Sequence, residues 1–314
     1  MASWRCDVMP EQKASNFFII LLASSAYFLF VAMDTLSKYL TQYIPVNQLV
    51  WGRYTFHLIA MVIYFLIFKP KLDLKRNFKI QIARSALLVF ATFLMFNALK
   101  LFSLVDIYVL FFTAPLILAL LSATFLGDRL SFKGWILMAL SFVAIVYTLG
   151  PSMKIMSVTV VFPFLIPICW SLYQFLTKLI SNNREPFVAV FYSGLVGTII
   201  FSVYNFGHWN NIDNYWIWLG LVILGTFGFI SHLILVYAIQ LSNLSFVANF
   251  QYSQLVWSSI LGLLIFGTPI ELTRVFGMIA IIIFGVLFIP PAKSLFVYWG
   301  NLKTPCASLP IRSA

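Results

Sequence analysis

Charge is what this sequence has least of. Only 9% of its 314 residues are Asp, Glu, Lys or Arg, and the nine acidic residues are outnumbered by twenty basic ones. A soluble domain carries about a quarter charged residues. That shortfall excludes an ordinary water-soluble enzyme, a disordered chain and a nucleic-acid-binding domain. Cysteine is also scarce: Cys6 and Cys306 lie near the ends and Cys169 in an apolar run, so there is no disulfide framework and no metal-ligand spacing. Also missing are H-E-x-x-H, G-x-S-x-G, a P-loop and G-x-G-x-x-G. Hence no catalytic residue, cofactor or metal is expected, and Asp106 and Asp128 read as charges at helix ends rather than a catalytic pair.

Apolar residues fill the space that charge leaves. They make up 62% of the chain, and its mean hydropathy is +0.97. A helical membrane span needs about 20 residues, so ten spans with short loops would use nearly the whole length. The expected fold is an all-α polytopic membrane protein, because backbone in hydrocarbon must satisfy its own hydrogen bonds. Apolar runs fall at 16–40, 46–68, 81–101, 104–126 and 132–149, then at 158–180, 187–205, 215–241, 245–267 and 273–290. The first run lacks an A-x-A cleavage pattern and reads as a retained span. Lys69-Pro70-Lys71 and Gly150-Pro151-Ser152 are clear breaks.

The basic residues orient these spans. With the N-terminus inside, fifteen of the twenty fall on the inner side, among them Lys69, Lys75 and Arg84. Lys38, Lys100, Lys154 and Arg274 fall outside, and Arg53 lies within a span. The net charge of +11 therefore reads as the bias of cytoplasmic loops, not as affinity for nucleic acid. The expected location is the inner (plasma) membrane, with the lipid bilayer as surroundings and cytoplasmic tails at 1–15 and 291–314.

The chain also repeats itself. The shift that places Leu36-Ser37-Lys38 on Leu176-Thr177-Lys178 also places Ala98, Leu101 and Leu104 on Ala238, Leu241 and Leu244, and Gly127 on Gly267. Two five-span units result, 16–149 and 158–290. An odd number of spans forces the second unit into the opposite orientation. Such inverted repeats are a hallmark of secondary transporters, whose substrate site lies near the bilayer midplane between the halves.

These residues resemble the EamA type of the drug/metabolite transporter superfamily. The likeness rests on Asp34-Thr35-Leu36-Ser37-Lys38-Tyr39-Leu40, on Arg53, and on Asn97-Ala98-Leu99-Lys100. It continues in Pro115, Phe125-Leu126-Gly127-Asp128-Arg129-Leu130, Tyr252-Ser253-Gln254-Leu255-Val256-Trp257 and Ile265-Phe266-Gly267. It covers residues 16–290. The end of the first span is also similar to that of S-adenosylmethionine uptake carriers. The resemblance implies a carrier of small organic metabolites, working by alternating access through a central cavity lined by spans 1, 3, 4, 6, 8 and 9.

Residues that could contact a solute stand out against the apolar background, because ionisable groups inside a span are costly. Asp34 shares a helix face with Ser24, Tyr27 and Lys38; it either faces a wet cavity or pairs locally with Lys38. Arg53 cannot be neutralised and needs an anion, a carbonyl or water, so it either locks the first two spans together or meets a substrate carboxylate. His57, one turn on, could titrate near neutral pH, although His57 and His232 read more simply as satisfied interior histidines. Span 6 offers Trp170, Tyr173, Gln174 and Thr177, with Gln174 at the repeat position of Asp34. Span 9 offers Asn249, Tyr252 and Gln254, and span 3 adds Asn97. Hydrogen bonds between helices would explain such amides equally well. A membrane-embedded enzyme and a non-transporting scaffold are the rival readings.

Overall fold

A computed structural model of the chain describes residues 16–69, 74–75, 77–125, 132–149, 161–180, 186–241, 247, 250–269 and 271–288. Those residues form eleven α-helices and one 3-10 turn. The first unit holds α1 (Asn16–Leu40), α2 (Val46–Phe68), α3 (Phe78–Leu101), α4 (Leu104–Phe111), α5 (Ala114–Phe125) and α6 (Phe132–Leu149). The second holds α7 (Val161–Ile180), α8 (Pro186–Asn205), α9 (Tyr215–Leu241), the 3-10 turn Phe250–Tyr252, α10 (Ser253–Phe266) and α11 (Leu272–Phe288).

Local chemistry explains the boundaries. Helix α2 ends where Lys69 turns left-handed (φ 46°) and donates its N–H to the Phe65 carbonyl at 2.8 Å, just before Pro70. The apolar run at 104–126, expected as one helix, is broken at Phe112–Thr113. Pro115 has no N–H to give the Phe111 carbonyl, and its ring crowds that carbonyl. The chain closes the gap with a tighter bond from Thr113 N–H to Leu110 C=O at 3.0 Å. Helix α10 stops at Gly267 (φ 62°), where a side chain would be strained.

Among the described residues, seven stretches are long and apolar enough to cross a membrane: Phe17–Leu40, Val46–Phe68, Phe78–Leu101, Leu104–Leu121, Phe132–Leu149, Phe187–Asn205 and Tyr215–Ala238. Three shorter apolar helices accompany them, Phe162–Thr177, Phe250–Phe266 and Leu272–Gly285. Large apolar side chains such as Phe17, Leu66, Val203 and Leu264 are exposed, as suits a surface facing lipid.

The main packing runs between the two units. Helix α1 lies on α9, and α3 lies on α7. Helix α2 packs on α9 and α8, and α3 also packs on α8. In the same way α1 meets α10, while α7 meets α4 and α5. The pairs α2–α8 and α6–α11 each join equivalent helices of the two units, and α4 meets α10, the helix equivalent to its neighbour α5.

Single residues follow the same exchange. His57 packs over Gly194 and Tyr54 over Gly197, two contacts that swap when the repeat shift is applied. Phe112 stacks on its equivalent Tyr252, with ring centres 5.0 Å apart and planes 14° apart.

Candidate functional site

The site begins with two charges at matching depth. Asp34 is the seventh residue from the end of α1, and Arg53 is the eighth residue of α2, so each lies about 10 Å inside its helix. Both are buried, and both line one cavity of about 530 Å³, a volume that includes its open end. They are not an ion pair; the ion pair found among the described residues is Arg274–Asp106, at 2.9 Å between α11 and α4. Asp34 Oδ2 instead accepts from the Tyr108 hydroxyl at 2.7 Å. Nor does Asp34 pair with Lys38. That ammonium donates to the Leu99 and Phe102 carbonyls at 2.6 and 2.7 Å, and so closes the C-terminal end of α3.

Arg53 is held from three helices. Its Nη1 donates to Thr92 Oγ1, Nη2 faces His232 Nε2 at 3.4 Å, and Nε faces the Met33 sulfur at 3.4 Å. A guanidinium only donates, so His232 Nε2 accepts and its ring proton sits on Nδ1. The guanidinium carbon also lies 4.7 Å from the centre of the Tyr54 ring. Thr92 and His232 are themselves related by the repeat shift, so Arg53 bridges equivalent positions of the two units.

The remaining walls are mostly apolar. Phe30, Phe96, Phe111, Met95, Leu88, Ala91, Ile166 and Trp170 complete the lining, with Gln254 as a further polar group. Phe30 and Trp170, another pair of repeat equivalents, meet edge to face at 6.3 Å. Lining residues thus come from the six expected spans and from α2 through Arg53.

Other residues singled out from the sequence lie elsewhere. Tyr27 is buried near Phe30 outside the lining. Asn97 donates to its own helix at Phe93 C=O, 2.7 Å. Tyr173 packs on Trp170 at 5.2 Å and takes the Arg84 guanidinium over its ring at 5.0 Å. Gln174 is half-buried on α7, outside the lining. Tyr252 stacks on Phe112. His57 is buried with Nε2 3.3 Å from the Val190 carbonyl, and its Nδ1 has no partner. Asn249, Gly127 and Asp128 lie outside the described residues.

Sequence reasoning had no signal for Thr92 or Tyr108, since one hydroxyl in an apolar helix is unremarked until a charge finds it. Arg84 is a correction. Read from the sequence as a charge of the inner loops, it is 1% exposed inside α3 and donates to Ala189 C=O at 2.6 Å and Thr177 Oγ1 at 3.1 Å. A basic residue three positions past the start of an apolar run looks like a flank; packing by α7 and α8 makes it interior.

The EamA-like transporter family model matches residues 17–150 and then, a second time, residues 157–289. The chain belongs to the EamA-like transporter family. This EamA-like protein is accordingly a multi-pass membrane transporter of small solutes. Its relatives include an S-adenosylmethionine uptake transporter of Rickettsia bellii (strain RML369-C), 25% identical over 268 residues, covering 85% of this chain and 90% of the relative. A second, from Rickettsia felis (strain ATCC VR-1525 / URRWXCal2), is 24% identical, covering 85% and 89%. One from Rickettsia prowazekii (strain Madrid E) is 23% identical over 272 residues, covering 86% and 89%. A solved crystal structure, 17% identical, matches with a TM-score of 0.65 over 87% of this chain and 97% of its own, which shows a shared fold.

Proposed function

We propose that this EamA-like protein is a secondary transporter that moves a small organic metabolite bearing both charges, amino-acid-like or S-adenosylmethionine-like, by alternating access. The observation that carries this reading is the unpaired meeting of Asp34 and Arg53 on one buried cavity wall. Two opposite charges kept apart in a low-dielectric site are costly unless something bridges them. A substrate ammonium or sulfonium at Asp34 and a carboxylate at Arg53 would do so, with Phe30, Phe96, Phe111 and Trp170 covering the apolar remainder. The Rickettsia relatives, S-adenosylmethionine uptake transporters, support a solute of that make-up.

Ten spans in two inverted halves supply the motion. Under a two-fold axis parallel to the helices, only the pair beside the axis could touch its own equivalent. Here α2–α8 and α6–α11 both do so, and Phe112 stacks on its equivalent Tyr252, which favours an axis across the helices, in the membrane plane. Rocking one half against the other about that axis would open the Asp34–Arg53 cavity to each side in turn. The positive-inside bias of the sequence supports cytoplasmic termini in a plasma membrane.

The test is uptake into proteoliposomes with a metabolite panel that includes S-adenosylmethionine and amino acids, with and without a pH gradient. The expected result is saturable accumulation of a solute carrying both charges. No uptake above protein-free liposomes for any panel member refutes the reading. Orientation is checked separately: an impermeant thiol reagent should label the Lys75→Cys variant only after the membrane is opened.

A further inference from the structure

Two of the residues lining the cavity each carry a buried polar atom with no protein partner. Gln254 is 4% exposed on α10, and its Oε1 is buried without a hydrogen bond. Trp170 on α7 has its Nε1–H buried without an acceptor. Both residues line the cavity that holds Asp34 and Arg53. Amides and indoles inside membrane proteins ordinarily tie helices together. These two tie nothing, and a buried polar group left unmade is costly. Their equivalents in the other unit do not explain them either: Gln254 corresponds to Ala114, and Trp170 to Phe30.

From these two atoms we infer a second recognition point for the substrate carried under the proposed function. The geometry points to a planar, neutral group that presents a hydrogen-bond acceptor to Trp170 Nε1–H and a donor to Gln254, as a carboxamide or an amino-substituted nitrogen heterocycle does. Because an amide offers both an acceptor and donors, Gln254 reads that edge in either sense, whereas the indole only donates. The aromatic walls favour a flat group. Phe30 stands edge-on to Trp170 at 82°, and Phe111 lies 5.6 Å from it. The arrangement separates two tasks. Asp34 and Arg53 hold the charged end of the solute, and Trp170 with Gln254 selects what hangs from it. A solute with a purely apolar side chain would leave both wall atoms unpaired and would be rejected for that reason.

This inference rests on the transporter reading, so its test must fail separately from it. Uptake is measured in proteoliposomes for two probe pairs: L-glutamine against L-methionine, and S-adenosylmethionine against its analogue with the purine amino group replaced by hydrogen. Wild-type protein should favour the amide- or amino-bearing member of a carried pair by about tenfold or more. Gln254→Met, which keeps the bulk and removes the amide, should cut that preference to about threefold or less. Trp170→Phe, which keeps a ring and removes the N–H, gives an independent reading if the first variant does not fold, and should cut it likewise. Both variants are checked for an unchanged size-exclusion profile. Uptake without discrimination by the wild type overturns this inference alone, as does an undiminished preference in both folded variants. Uptake of no probe at all overturns it together with the reading beneath it.

Discussion

Arg53 gathers three helices around one guanidinium: Met33 from α1, Thr92 from α3 and His232 from α9. Its planar fork is suited to several fixed acceptors at once, which a lysine ammonium on a flexible stem is not. In Arg53→Lys the charge would survive and the bridge would not. Initial uptake rates should fall by about tenfold or more while the amount of inserted protein stays within about twofold of wild type. Asp34→Asn should do the same for a different reason. Asparagine can still accept from Tyr108, so the fold keeps its contact, but a cationic substrate loses its counter-charge. Flux assays and immunoblots on the same vesicles measure both quantities, and normal rates in either variant would remove that residue from the transport machinery. Asp34, Arg53 and Trp170 were legible in the sequence because an ionisable group or an indole in an apolar helix is conspicuous. What they touch was not legible. Tyr108 is 74 residues from Asp34 and His232 is 179 from Arg53, and nothing local at either end announces the meeting.

Elements show the same division. Where a break is covalent chemistry, as at Lys69-Pro70, the sequence marks it and the structure obeys. Pro115 was equally visible, yet the run around it is apolar enough that hydropathy alone reads one continuous helix across 104–126. The proline divides it by denying Phe111 a donor. The contact between α2 and α8 was beyond reach, because it depends on which helix arrives opposite which glycine. Gly197 faces the Tyr54 ring so closely that any Cβ there would overlap it. Gly197→Ala should therefore force the two helices apart at a cost of about 1–3 kcal/mol, seen as a lower melting temperature in detergent. Val203→Ala, on the 71% exposed flank of the same helix, should leave melting unchanged. Equal melting in the two variants would show that α2 and α8 do not pack as closely as described.

At the scale of the whole molecule the site belongs to neither unit. Its charged wall comes from α1 and α2, its indole from α7 and its amide from α10. The ion pair Arg274–Asp106 and the bond between Asn47 and Asn205 also reach from one unit to the other. The internal repeat was legible before any fold was known. The cavity, however, exists only where the units meet, and a period in a sequence does not say which faces will meet.

That dependence has a consequence for how the chain is made. Helix α1 emerges first from the ribosome, but its chief neighbour is α9, and α3 must wait for α7. Until those later helices insert, Arg84 lacks its acceptors Thr177 and Ala189, and Arg53 lacks His232. Biogenesis should therefore pass through a long-lived half-made state that membrane proteases can recognise by its unsheltered charges. In pulse-chase labelling, a truncated product ending at residue 150 should decay several-fold faster than the full chain, and co-translation of residues 151–314 as a separate polypeptide should rescue it. Equal lifetimes for the fragment alone would mean that the first unit folds without its partner.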